Sequence, residues 1–152
     1  MLTLGIPAFR LEKNVVNAEI EILKEMGVEI KTGVEVGKDV SLDDLRKQGY
    51  QAFYIAIGAQ ASRKLNIPGE DAADVFGGVD FVRRINLGEK VELKGKGIVI
   101  GGGNVAIDVA RSAVRVGAES INLYCLESRK EMPALDEEVR EAEEEGIAIN
   151  NG

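Results

Sequence analysis

An α/β fold built on a parallel, helix-covered sheet is predicted by three features of this sequence. Short β-branched runs at Ile98–Ile100, Ile121–Leu126 and Ile147–Ile149 alternate with amphipathic helical patterns. A glycine cluster, Gly101-Gly102-Gly103, separates the first run from the helix that follows it. The resulting β-α-β-α-β order joins its strands by right-handed crossovers, which places them side by side and parallel.

The earlier half of the chain is less regular. Gly5 to Leu11 is an extended lead-in, with Ile6 held out of the helical region by Pro7. Asn14 is a helix cap, and Val15, Val16, Ile20, Leu23 and Met26 follow at helical spacing until Gly27 stops the helix. Val28–Ile30 and Val34–Val36 read as short strands. Ser41 with Asp44 resembles a capping box for a helix ending at Lys47. Gln51–Ile57 (QAFYIAI) reads as a strand running into Gly58-Ala59. Asn66–Asp71 is polar and carries Pro68-Gly69, the composition of a linker. Asp80–Leu87 is a short helix with Phe81, Val82 and Ile85 turned inward.

The second half carries the chemistry. From Asn104 the positions Val105, Ala106, Val109, Ala110, Ala113 and Val116 recur at helical spacing, and Gly117 ends the helix. Strand, glycine turn and helix together form a dinucleotide fingerprint with Ala106 in the third small position. Gly101 makes the tight turn, Gly103 lets backbone N–H groups approach a pyrophosphate, and Ala106 lets the helix pack closely on the sheet. The helix N-terminus adds unpaired N–H groups and a partial positive charge, which favour a diphosphate. Glu127 stands at the end of the second strand, where a carboxylate accepts hydrogen bonds from ribose hydroxyls. Ser128 to Pro133 is a polar loop, and Leu135, Val139 and Ala142 line one face of an acidic helix closed by Gly146.

Composition narrows the classes further. At 152 residues with 45% hydrophobic and 30% charged side chains, the chain is ordinary for a water-soluble domain plus a fragment. No apolar run approaches the ~20 residues of a membrane span, and the first residues lack the pattern of a signal peptide, so a cytoplasmic location is expected. The net charge of −7 is concentrated in Asp136–Glu145, with seven acids and one arginine, which reads as a solvated helix face and argues against nucleic-acid binding. Cys125 is the single cysteine and there is no histidine, so neither an internal disulfide nor a multi-cysteine metal site is expected. No Ser-His or Cys-His pair exists to carry nucleophilic catalysis.

Several stretches in order, GIPAFRL, IAIGA, NIPGED, GGGNVAIDVARSAVRVGA and SRKEMPA, resemble the small subunit of NADPH-dependent glutamate synthase. The flavin segment of dihydropyrimidine dehydrogenase is similar. The resemblance covers nearly the whole chain but only the middle of the family's length, so the chain is expected to be an internal piece of a larger protein. It implies a Rossmann-like nicotinamide-binding domain at 77–152, a linker at 66–76 and a partial FAD-domain segment at 1–65. Gly101, Gly102, Gly103, Asn104, Val105 and Ala106 then map onto the pyrophosphate loop, and Gly58-Ala59 onto a turn beside the flavin. The implied activity passes hydride from NAD(P)H to FAD and electrons on to a partner subunit or iron-sulfur protein. FAD is expected to be held only by the full-length parent, because the FAD fingerprint and the family's closing flavin motif are absent here; the family's N-terminal cysteine cluster is absent too, so no iron-sulfur site is expected. Many members place Arg-Arg after the second strand to hold a 2′-phosphate. Leu126-Glu127 stand there in this chain, which leans the expectation to NADH, although Ser128 and Arg129 reach the same region.

Plainer readings stand beside these. Asp108, near the cofactor in the family, is three residues from Arg111 and otherwise makes a surface pair worth a few tenths of a kcal/mol. Arg129 is otherwise a solvated loop cation. Hydride transfer between two cofactors needs alignment and dryness rather than a protein acid or base, so no catalytic residue is expected. An isolated nucleotide-binding module without turnover predicts the same. A methyltransferase using S-adenosylmethionine is a further alternative, since it too uses a glycine loop and a strand-end acid. The QAFYIAI strand, with most of its sheet missing, leads us to expect self-association or disorder in the first 60 residues.

Overall fold

The computed structural model describes all 152 residues. They divide into two compact units, Met1–Lys13 with Gln60–Gly152, and Asn14–Ala59.

The larger unit is an α/β layer. Strands β1 (Lys96–Ile100), β2 (Ser120–Tyr124) and β3 (Ala148–Asn150) form a parallel sheet in sequence order. Between them run two crossover helices, here numbered α4 (Asn104–Arg115) and α5 (Asp136–Glu144). Register aligns Val99 with Leu123 and Leu123 with Ile149 on one face. That face packs on Ile107, Ala110 and Ala113 of α4 and on Val139 and Ala142 of α5. Ile107, Leu123 and Val139 are fully buried, each contributing ~2 kcal/mol by removal of apolar surface from water. Ile98, Ile100 and Tyr124 alternate with these residues and are exposed on the opposite face.

Helix α4 ends as Gly117 predicts. With φ at +106°, Gly117 donates to Val114 while the next N–H, of Ala118, donates to Ala113, so two terminal carbonyls are satisfied by one left-handed residue. A third helix, α3 (Gly78–Asn86), buries Phe81 and Val82 with Ile85 partly covered. It lies close to α4: a Cβ on Gly78 would come 3.0 Å from a Val109 methyl. The second strand is shorter than expected, since pairing stops at Tyr124 and Leu126 is 95% exposed.

The smaller unit departs more from expectation. Helix α1 (Lys13–Glu25) begins one residue before Asn14, whose carboxamide accepts only from the adjacent Val15 N–H; Asn14 therefore lies inside the first turn and is not the cap. Helix α2 (Leu42–Lys47) has the expected capping box, with Ser41 and Asp44 each accepting from the other's backbone N–H. Val28–Ile30 and Gln51–Ile57 form no strands, and Val34–Val36 is reduced to a single bridge between Val36 and Val40. An extended segment becomes a strand only when a neighbour pairs with it, and β-propensity alone supplies none. No helix is long and apolar enough to cross a membrane.

Candidate functional site

The glycine turn sits at the carboxyl end of β1, where the Gly101 N–H continues the ladder by donating to the Tyr124 carbonyl at 2.8 Å. Gly101 then turns the chain with φ at +138°, a region that L side chains avoid. A Cβ there would lie 3.4 Å from the Ala106 Cβ, so the first and third small positions of the fingerprint face each other. Gly103 is the N-cap of α4, makes no side-chain cap, and has open space where a Cβ would project. The start of α4, whose first-turn N–H groups have no intrahelical partner, is thus not crowded at Gly103.

Gly102 has the opposite surroundings. It is buried, and a Cβ on it would meet Glu127 Oε2 at 2.9 Å, the Cys125 Cβ at 3.0 Å and Pro133 Cδ at 3.5 Å. The Glu127 carboxylate is therefore folded against the glycine loop. Two backbone links bring the following loop over the turn: the Ala134 N–H donates to the Gly102 carbonyl at 3.0 Å, and the Leu135 N–H to Asn104 Oδ1 at 2.9 Å. Asn104 thus anchors this loop, while Val105 is exposed.

The other sequence candidates have defined partners. Ser128 Oγ donates to Glu131 at 2.6 Å. Arg129 offers two guanidinium nitrogens to the two carboxylate oxygens of Glu143, at 3.0 and 2.8 Å. It is neither a purely solvated cation nor turned onto the glycine loop. Gly58, with φ at +71°, and Ala59 are exposed in the smaller unit.

Asp108 and Arg111 do not form the surface pair that their spacing suggests. Both are 8% exposed, and each faces a partner distant in sequence. Asp108 pairs with Arg10 of the lead-in segment, and Arg10 also pairs with Glu138. Arg111 binds Glu141 and Glu145, Arg115 binds Glu145, and the Phe9 ring lies 4.8 Å and 4.0 Å from the two guanidinium carbons. Burial pushes the Asp108 carboxyl above its usual range, with Arg10 and Arg111 pulling the other way. The Arg115 hydrogen bond, against some burial and with help from Arg111, holds Glu145 down at about 2.

Reading the acidic helix as a wholly solvated face missed this network. Its signal lay in two matching spacings: Asp108, Arg111 and Arg115 on α4, and Glu138 and Glu141 on α5 with Glu145 at its C-cap, each follow an i, i+3, i+7 stripe. The structure sets the two stripes against each other.

The sequence profile of the pyridine nucleotide-disulphide oxidoreductase family matches residues 6–152. The chain is 45% identical over 150 residues to the beta subunit of an NADP(+)-dependent formate dehydrogenase from Moorella thermoacetica, covering 97% of this chain and 21% of that one. It is 41% identical to the beta subunit of an NADPH-Fe(3+) oxidoreductase from Geobacter sulfurreducens, covering 97% and 22%. It is 37% identical over 158 residues to the small chain of the NADPH glutamate synthase of Escherichia coli K12, covering 97% and 33%. The chain thus spans between a fifth and a third of these relatives. Among solved structures, the oxidoreductase FprA of Mycobacterium tuberculosis in complex with NADPH superposes with a TM-score of 0.71 at 24% identity, over 94% of this chain and 37% of that one, a likeness of fold.

Proposed function

We propose, from the premise that this chain belongs to the pyridine nucleotide-disulphide oxidoreductase family, that residues 77–152 are the nicotinamide dinucleotide-binding portion of a larger FAD-dependent oxidoreductase. On this reading residues 1–65 are part of its FAD domain, joined through 66–76. Family membership replaces the methyltransferase alternative. The observation that carries the proposal is the Gly101–Ala106 contact beside an open Gly103 at the start of a 12-residue helix. A pyrophosphate fits there because no side chain fills the space and the helix presents N–H donors.

Each residue of the site then has a defined contribution. Gly101 and Ala106 bring α4 tight against β1, Gly103 leaves the donors uncovered, and Glu127 offers a carboxylate beside the loop where the adenosine ribose follows the diphosphate. Asn104 fixes the covering loop through Leu135. Nicotinamide and flavin supply the hydride donor and acceptor, and the protein's share is alignment and exclusion of water. Gly58-Ala59 is the segment this reading places beside the flavin, and the remaining FAD-binding residues belong to the rest of the parent protein. Relatives named as beta subunits support a partner subunit that takes the electrons onward. A cytoplasmic location is part of the same reading.

The lean toward NADH finds no support among the relatives named above, all three of which carry NADP(H) in their names. We therefore read the cofactor as NADP(H), with Arg129 as the cation available for the 2′-phosphate in place of the family's arginine pair. Calorimetric titration of the chain with NADP+ and NAD+ tests the proposal. Saturable binding displaced by ADP-ribose is expected, with negligible dye reduction until the FAD domain is complete. Absence of heat with both nucleotides would overturn it.

A further inference from the structure

The arginine that this reading assigns to a phosphate is already engaged by a carboxylate. Arg129 meets Glu143 through two parallel N–H···O contacts, the arrangement a guanidinium also uses on a phosphate. Both side chains are partly exposed, 40% and 46%, so their attraction is screened and weak. The loop beneath them is tied at Ala134 to Gly102 and at Leu135 to Asn104. With the loop tied at these points, a change of partner by the guanidinium would be a rotation of the side chain. Arg129 stands two residues beyond Glu127, whose carboxylate abuts the glycine turn, and Leu126 on the other side of Glu127 is exposed and apolar where the family resemblance places an arginine.

Resting on the NADP(H) reading above, we propose that Arg129 and Glu143 form an exchangeable clasp that sets the preference for a 2′-phosphorylated nucleotide. Glu143 holds the guanidinium in the conformation seen here, and the 2′-phosphate of the adenosine ribose takes it over. A phosphate monoester carries nearly two charges and three acceptor oxygens, against one charge on the carboxylate, so it wins the exchange. Glu143 on α5 thereby tunes cofactor choice without touching the cofactor: it is a positioning residue acting through Arg129.

The test is the ratio of dissociation constants for ADP-ribose and 2′-phospho-ADP-ribose on the 152-residue chain, measured by calorimetry. Glu143→Gln is expected to raise the preference for the phosphorylated ligand by about two- to fivefold, the strength of an exposed ion pair. Arg129→Gln is expected to lower it by about tenfold, the value of a charge-assisted contact. In the background of Arg129→Gln, Glu143→Gln should add nothing, which separates release of the arginine from simple loss of a negative charge. Glu144→Gln, which removes the adjacent exposed charge, is the matching control and should leave the ratio within about twofold. Equal effects of Glu143→Gln and Glu144→Gln, or no loss on Arg129→Gln while both ligands still bind, would overturn the clasp alone. Failure of both ligands to bind the unaltered chain would remove the dinucleotide reading, and the clasp with it.

Discussion

Gly101 and Ala106 face each other across the βα turn, with 3.4 Å between the Ala106 Cβ and the point where a Cβ on Gly101 would stand. This spacing lets α4 approach β1 closely, and on the proposed reading its first turn then points at the diphosphate. Ala106→Leu should force the two apart. Overpacking of this kind costs about 1–3 kcal/mol, so chemical denaturation should show a destabilised chain and calorimetry should show dinucleotide binding lost together with it.

Gly103 separates binding from folding. Its backbone, at φ −93° and ψ 171°, suits any residue, and the space beside it is open. Gly103→Val should therefore leave the melting temperature within a few degrees of the parent, because a surface change without strain is worth at most about 0.5 kcal/mol. Nucleotide affinity should fall at least about tenfold, as the new methyls occupy the diphosphate space. Undiminished binding in a folded Gly103→Val chain would place the ligand elsewhere.

Arg10 tests the buried charge network. Arg10→Ala leaves Asp108 and Glu138 without their shared cation at sites mostly removed from water. Breaking a buried pair from one side costs about 3 kcal/mol, so the urea midpoint should fall far more than for an exposed change such as Lys38→Ala. Replacing Asp108 by Asn together with Arg10→Ala should recover part of the loss. The double change removes the stranded charge.

Glu145 predicts how stability varies in acid. Its folded value is lowered from 4.5 to about 2, so the folded chain holds this proton less tightly than the unfolded chain. The stabilisation is fully present above about pH 4.5 and is lost as pH falls toward 2. Allowing for solvent screening, it amounts to about 1–2 kcal/mol. Glu145→Gln should flatten that part of the stability profile relative to the parent, and an unchanged slope in denaturation midpoints between pH 5 and about pH 2 would refute the assignment.

Tyr54, Ile55 and Ile57 are 94%, 73% and 77% exposed in a segment that pairs with no strand. Large apolar side chains exposed together favour association. Sedimentation of the isolated chain should reveal concentration-dependent self-association, reduced by Ile55→Lys with Ile57→Lys. A single monomeric species at every concentration would refute it.

Elements defined within a few residues were legible in the sequence alone. The glycine turn, the apolar stripes of α4 and α5, the Ser41–Asp44 capping box and the left-handed stop at Gly117 all depend on near neighbours, whose spacing is written directly in the chain. The parallel sheet followed from the β-α-β-α-β order, because crossover handedness leaves little choice. Tertiary structure decided what depended on distant partners. Gln51–Ile57 has the composition of a strand yet forms none, since a strand is defined by the neighbouring strand that satisfies its N–H and C=O groups. Asp108 turned away from nearby Arg111 to Arg10, because burial removes the competition of water and the nearest opposite charge in space then decides; Arg129, still partly exposed, met Glu143 only because the fold brings α5 beside its loop. Sequence distance carries no information about that choice.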